Sequence, residues 1–262
     1  MVGYGGNTSC VVFEAPDHSP IIFDMGTGIR NYGQCAHLGD PQSPFSATVL
    51  LTHLHWDHVQ GLPFFAPLTR PNADITIYGP PEPGRSFADS FDAFMCPPYF
   101  PVRLADLPSG IVLQCATDTQ FVVGEATVTV APVPHTGRTN GYRVDLRGTS
   151  VAYIPDHQQP DDPTTVDPRV LELARDVDLL IHDAQYTPEL FAERSNWGHC
   201  TVEYACEVAA QAGARTLALF HYDPLHTDVR MDELLAEAQS FGEARGLHDV
   251  IAAREGESIK FD

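Results

Sequence analysis

Lysine is almost absent from this chain. Lys260 is the single example among 262 residues, and arginine supplies the other 14 of the 15 basic side chains. They face 35 aspartates and glutamates, for a formal net charge of −20. Such a surface repels polyanions at long range, so an extended duplex or tRNA footprint is not expected. A local positive site, for example one made by metal ions, could still take a small anion. Salt adaptation and GC-rich coding would produce the same composition, and charge argues about partners rather than fold. Long apolar runs are also missing. Nothing approaches ~18 consecutive apolar residues, which excludes a membrane-spanning helix. The opening MVGYGGNTSC has no basic stretch followed by an apolar one, so no signal peptide is expected and the cytoplasm is the expected compartment. The six cysteines, Cys10, Cys35, Cys96, Cys115, Cys200 and Cys206, form no CxxC and no tight framework. They read as reduced core residues in a reducing compartment. No short repeat, low-complexity tract or Gly/Ser linker divides the chain, so one domain over residues 1–262 is expected.

At 43% hydrophobic and 19% charged, the chain can bury a full core without a staple. Its first half reads as short strands: Cys10–Glu14 and Ile21–Asp24 about a PDHS turn, Ala47–Thr52, and Ile75–Tyr78 closed by GPPEPG. The aromatic and proline-rich Arg85–Leu107 fits neither period and reads as a lid or edge-covering loop. Strands follow at Ile111–Cys115, Phe121–Val123, Ala126–Pro132, Gly141–Leu146 and Ser150–Ile154. The second half alternates. A helix over Pro168–Asp176 starts after Asp167 with proline at its first position, and Leu179–Asp183 is a strand. A helix over Val202–Ala212 is capped by Thr201 and stopped by Gly213. Strand Thr216–Phe220, a helix near Val229–Ala244 and a last strand at Ser258–Phe261 complete the pattern. Strand-rich runs followed by helix–strand alternation predict an α/β (α+β) chain, two sheets with helices outside.

The twelve histidines carry the functional argument. The segment Thr52-His53-Leu54-His55-Trp56-Asp57-His58 falls where the apolar run TVLL ends. Residues i and i+2 of a strand share a side, so His53 and His55 can grip one ion together. Asp57 and His58 then turn back and can grip a second. Imidazole and carboxylate suit zinc, and also manganese or iron, and no cysteine here selects a softer metal. A lone histidine is usually an ordinary core or surface residue. Three histidines and an aspartate within six residues at a strand end are not explained that way.

This HxHxDH segment resembles the metallo-β-lactamase superfamily, and the rest of the chain meets the family's pattern in order. His135 in PVPHTGRTNGYRV lies between two strands, Asp156 in VAYIPDHQ ends a later strand, and His221 in LALFHYDP ends a late one. The resemblance implies an αββα sandwich of two mixed β-sheets with helices on the outer faces. It assigns His53, His55 and His135 to a first divalent ion, Asp57, His58 and His221 to a second, and Asp156 between them. A hydroxide bridging such a pair is a nucleophile at neutral pH. Within the superfamily, Asp183 in LIHDAQY and His199 in WGHCT resemble the acid and histidine that ribonuclease Z and related phosphodiesterases place beside their zinc pair. Phosphodiester cleavage expels a poor alkoxide, which a protonated imidazole assists and a carboxylate keeps oriented. Asp57, Asp183 and His199 are therefore the expected catalytic residues. The GGNTSC motif and Asp24-Met25-Gly26-Thr27-Gly28 resemble the same branch, making Thr27 and Gly28 candidate substrate contacts and Asp24 a partner of a ligand histidine. The bland alternatives are a bare glycine turn and, for Asp183, a strand-end acid accepting a backbone hydrogen bond. His18, His37, His157, His182, His226 and His248 read as structural.

Two departures stand against the resemblance. Family members usually carry a strand before GGNTSC, so the expectation is that either the start is truncated or that edge of the sheet is absent. Ribonuclease Z also carries a protruding arm that holds tRNA, and no Gly-Pro-rich insertion resembles it. The missing arm and the −20 charge both argue against tRNA, so the expected activity is a metal-dependent phosphodiesterase acting on a cyclic nucleotide, cyclic ribose phosphate or short nucleotide. The alternatives are a hydrolase of thioesters, lactones or β-lactams, a tRNA 3′-processing endoribonuclease, and a binding protein without turnover. Dimers are common in the branch, which implies a homodimer.

Overall fold

In the computed structural model, residues 2–35, 43–247 and 249–261 are described. They fold as two compact units, Asn7–Thr117 on one side and Asp118–Asp262 with Met1–Gly6 on the other. His37 and His248 lie outside the described residues. Among the described residues no helix is long and apolar enough to cross a membrane.

The first unit contains β1 (Val11–Phe13), β2 (Ile21–Phe23), α1 (Gly28–Gly33), β3 (Phe45–Leu50), α2 (Trp56–Val59), β4 (Ala73–Gly79), α3 (Phe87–Phe94) and β5 (Gly110–Cys115). Its sheet runs β1-β2-β3-β4-β5, antiparallel only between β1 and β2. Parallel strands end on a common edge, and ligands gather at the carboxyl ends of such strands. Phe23 pairs with Leu50 in register, so Asp24 and the Thr52–His58 segment emerge from neighbouring strand ends. The core beneath is a single cluster that includes Ile22, Met25, Ile29, Val49, Leu62 and Phe65.

The segment read as a loop over Arg85–Leu107 contains a helix. Ser86 caps α3 by accepting from the Asp89 N–H at 3.1 Å, and Phe87 and Phe91, one turn apart, are both buried. Proline-rich flanks masked that i, i+4 pair. Two further helices, α1 and α2, are too short to carry a periodic signal.

The second unit contains β6 (Thr119–Val123), β7 (Ala126–Pro132), β8 (Asn140–Leu146), β9 (Thr149–Ile154), α4 (Pro168–Ala174), β10 (Leu179–Asp183), α5 (Pro188–Arg194), α6 (Val202–Ala212), β11 (Thr216–Phe220), α7 (Asp228–Glu243) and β12 (Asp249–Ala252). The sheet order is β12-β11-β10-β9-β8-β7-β6, parallel from β9 to β12 and antiparallel from β6 to β9. Two reversals return β7 to the direction of β9, so the β7–β8 loop carrying His135 opens at the edge where β9, β10 and β11 end. Asp156, Asp183 and His221 stand at those three ends. Thr201 caps α6 through the Tyr204 N–H, and Gly213 ends it at φ 72°, a left-handed conformation glycine adopts without strain.

The final strand is not at Ser258–Phe261. It is β12, whose Val250 and Ile251 pair with Leu217 and Ala218 of β11. The later run stays at the surface, with Ile259 46% and Phe261 38% exposed. Each sheet is mixed and each unit carries helices, the α/β class expected.

Candidate metal centre

In the first unit the chain turns sharply at Asp24, whose φ of 58° is left-handed and costly for a residue with a Cβ. That conformation is held from several sides. Asp24 is fully buried, its Oδ1 accepts from the Thr52 N–H at 2.7 Å, and its Oδ2 lies 2.7 Å from His58 Nδ1. The Thr52 hydroxyl reaches both Asp24 oxygens at 3.0 Å and lies 3.0 Å from His53 Nδ1. The turn is clamped to α2 by the Met25 N–H on the His58 carbonyl at 2.7 Å and the Gly61 N–H on the Met25 carbonyl at 2.9 Å. A Cβ on Gly61 would lie 2.0 Å from the Gly26 carbonyl oxygen, so the close approach requires glycine.

These supports gather three imidazoles. The ring centroids of His53 and His55 are 4.3 Å apart, as are those of His53 and His58. Because His58 Nδ1 faces Asp24, its Nε2 carries the lone pair that would meet a cation. That Nε2 lies 3.2 Å from Asp57 Oδ2. Two ligands each about 2.0–2.2 Å from a shared tetrahedral zinc stand roughly 3.4 Å from one another, so this spacing fits a common ion. Thr27 is engaged locally: its hydroxyl accepts from the Thr8 N–H and its own N–H donates to the Thr8 hydroxyl, both at 2.8 Å. The Gly28 N–H points to the Thr8 carbonyl at 3.4 Å.

In the second unit three imidazole nitrogens converge on one carboxylate oxygen. Asp156 Oδ1 lies 3.8 Å from His135 Nε2, 3.6 Å from His199 Nδ1 and 3.7 Å from His221 Nε2. These separations are too long for hydrogen bonds; for His135 and His221 they suit donors arranged about a cation, whereas His199 Nδ1 has a closer partner in Asp183. Asp156, His199 and His221 each offer a ligand atom within 4.8 Å of the others. His135 presents Nε2 because its Nδ1 lies 2.6 Å from the Gly198 carbonyl, the support that ligating histidines commonly have. Gly198 must be glycine there, since a Cβ would lie 2.4 Å from that Nδ1. His221 adopts a left-handed φ of 57°, a second strained residue at a strand end.

Asp183 is fully buried, and its Oδ2 lies 3.0 Å from His199 Nδ1. The same carboxylate accepts backbone N–H groups from His157 and Gln185, each at 3.0 Å, so it also ties the β9 and β10 ends together. The His199 ring stacks on His221, with centroids 5.1 Å apart and planes 19° apart.

Two buried histidines behind this edge were read only as structural. His182 Nδ1 lies 2.8 Å from the Asp183 carbonyl, which makes that nitrogen the donor, and His157 Nδ1 lies 3.0 Å from His182 Nε2. Burial lowers the pKa of both below the ordinary imidazole value, and their mutual repulsion lowers that of His157 further. A lowered pKa in the folded state means that the unfolded chain binds more protons in acid, so stability rises with pH and is lost as pH falls below ~6.5. Urea unfolding from pH 7.5 to 5 should therefore show stability falling as pH drops through ~6.5, with a limiting slope of about 1.4 kcal/mol per pH unit for each such group. A flat profile would show that these histidines are protonated in the fold. Sequence reading also missed Thr52, which directly precedes the histidine cluster, and the Gly198 carbonyl, for which a backbone atom leaves no residue-type signal.

A family model described as the β-lactamase superfamily domain matches residues 21–222, and the chain belongs to that superfamily. It is a hydrolase of the metallo-β-lactamase fold. Among its relatives, the ribonuclease Z of Halobacterium salinarum is 30% identical over 244 residues, covering 77% of this chain and 78% of that one. The metallo-β-lactamase fold protein YhfI from Bacillus subtilis superposes with a TM-score of 0.71 at 20% identity, covering 97% of this chain and 95% of its own. A diphosphatase from the PhnP family superposes with a TM-score of 0.68 at 18% identity, covering 97% and 85%. At such identities these two structures establish the fold.

The donor set fits the divalent ions that this fold implies. It offers imidazoles with their second nitrogen supported and carboxylates at ligand spacing, without a thiolate.

Proposed function

We propose that the chain is a phosphodiesterase with two divalent ions, acting on small anionic phosphodiesters such as a cyclic nucleotide, a cyclic ribose phosphate or a short nucleotide. The observation that carries this reading is the Asp183–His199 pair, 3.0 Å apart and 3.6 Å from Asp156 through the same histidine nitrogen. A thiolate departs without a proton, so hydrolysis of a thioester does not call for such a pair, whereas an alkoxide leaving group does. His53, His55 and His135 are assigned to one ion, Asp57, His58 and His221 to the other, and Asp156 to both. Zinc is the proposed metal, with manganese or iron as the alternatives. When bound, the ions supply an activated water and neutralise charge on the phosphoryl oxygens. The protein's own part is positional. Asp183 holds the His199 ring by Nδ1, leaving the proton on Nε2 for the departing oxygen. Asp24 fixes His58, and the Gly198 carbonyl fixes His135. Asp57 serves as a ligand and accepts a hydrogen bond from the attacking water, while Thr27 and Gly28 are the proposed substrate contacts. A homodimer, and the cytoplasm as compartment, complete the reading, and six cysteines outside any disulfide are in keeping with the latter.

The relationship to a ribonuclease Z favours a second reading, maturation of tRNA 3′ ends. The −20 net charge opposes it. The test is a side-by-side assay of the metal-loaded chain on cyclic and linear phosphodiesters, a diaryl phosphodiester, a thioester, a β-lactam and an intact tRNA precursor. Rapid turnover of small phosphodiesters, with tRNA cleaved far more slowly at physiological salt, is expected. Preference for the thioester or lactam, or efficient tRNA processing, would contradict the proposal.

Asp24 gives a more local prediction. Asp24→Asn keeps the shape and tolerates a left-handed turn, but it replaces the carboxylate facing His58 by a neutral amide. Metal affinity, measured by competition with a chromogenic chelator, should fall about 10–100-fold. Unchanged affinity would remove His58 from the ligand set.

A further inference from the structure

Trp56 lies between two proposed ligands, His55 and Asp57, and is 65% exposed. A singly exposed tryptophan is ordinary. This one is braced. Its ring meets Phe94 edge-on, with centroids 6.1 Å apart and planes at 87°. Phe94 in turn contacts Phe91 at 6.3 Å, and Phe91 contacts Phe87 at 5.6 Å. Phe87 and Phe91 are buried in the core of the first unit. A ladder of rings along α3 therefore runs from the core to the indole and braces it, while 65% of the residue stays exposed for contact with another planar group. The aromatic residues of the Arg85–Leu107 segment thereby acquire a role that their sequence alone does not suggest.

We infer that Trp56 is a substrate-stacking residue, and that the phosphodiester this chain cleaves carries a planar nucleobase. The inference rests on the phosphodiesterase reading and deepens it. Consecutive Cα atoms are about 3.8 Å apart, so the indole starts one residue from each of two ligands. That adjacency is the ground for placing a substituent of a bound phosphorus beside the indole. Stacking suits this acidic chain because it needs no cation and accepts any base, every base having a π-face. Among the proposed substrates, this selects cyclic nucleotides and short nucleotides over cyclic ribose phosphates without a base.

The test uses Trp197→Phe protein, in which Trp56 is the remaining tryptophan, in its metal-loaded form. It is titrated with adenosine monophosphate and with ribose 5-phosphate, which lacks the base. Adenosine monophosphate should quench the indole emission and bind more tightly than ribose 5-phosphate. In calorimetry, Trp56→Ala should weaken adenosine monophosphate by about 5- to 100-fold and leave ribose 5-phosphate unchanged, and Trp56→Phe should restore most of the loss. Metal content of each variant separates lost stacking from a disturbed centre. Equal binding of the two probes, no binding of adenosine monophosphate, or equal weakening of both by Trp56→Ala at full metal content would overturn the inference. Base-dependent quenching without phosphodiester turnover would keep the stacking site and sink the phosphodiesterase reading on which its substrate assignment rests. Turnover without base discrimination would sink this inference alone.

Discussion

His199→Ala should keep both ions and lose activity in proportion to how badly the leaving group needs a proton. For alkyl phosphodiesters the loss should approach 10²–10⁴-fold, the usual worth of general acid assistance. For nitrophenyl esters, whose leaving group departs unaided, it should shrink towards parity. The geometry makes the comparison sharp. His199 Nδ1 is held 3.0 Å from Asp183 Oδ2, yet it is also 3.6 Å from Asp156 Oδ1, and the ring stacks on His221. It is therefore close enough to the ligand set for a ligand role to be a real competitor. Metal analysis of His199→Ala decides between them. Loss of an ion would place His199 among the ligands and remove the main ground for a phosphodiesterase. An equal rate loss across leaving groups would assign it to binding or structure. Asp183→Asn should follow the His199 pattern more weakly, because an amide oxygen still holds the imidazole but no longer favours its charged form.

The second large effect belongs to Asp156. Its Oδ1 lies 3.6–3.8 Å from nitrogens of His135, His199 and His221. If this carboxylate joins both ions, Asp156→Ala weakens both sites together and abolishes activity on every substrate. His58→Ala removes one ligand from one ion, and its first effect should be the loss of a single equivalent. Stoichiometry and activity measured on the same samples check this. One ion lost from Asp156→Ala, with the other bound at its original affinity, would show that the carboxylate serves only one metal.

Much of the fold was legible because its signals are local. Thr201, Val202–Ala212 and Gly213 form a capped and stopped helix, and buried strands such as Leu179–Asp183 are bounded by turns. The candidate site residues were named from the HxHxDH spacing and from the resemblance it carries, and within the second unit Asp183 and His221 fall at the ends of the neighbouring parallel strands β10 and β11. What stayed hidden depends on long-range contacts. The helix α3 is made by burial of Phe87 and Phe91, and β12 is selected by pairing with β11, which the similar run at Ser258–Phe261 lacks. Thr52, the His157–His182 pair and the Gly198 carbonyl act through contacts that no spacing rule records. Asp24 and His221, left-handed residues at strand ends, carry strain that only coordinates reveal.

The measurement that bears most directly on the central claim is the metal content of the chain, purified without chelator and then again after stripping and reconstitution with zinc, manganese or iron. Elemental analysis beside protein concentration should give about two ions per chain, as the seven proposed ligands imply. It should also give phosphodiesterase activity that disappears with the ions and returns with them. No site-bound metal before or after reconstitution, or phosphodiester turnover that survives complete removal of metal, would contradict the account.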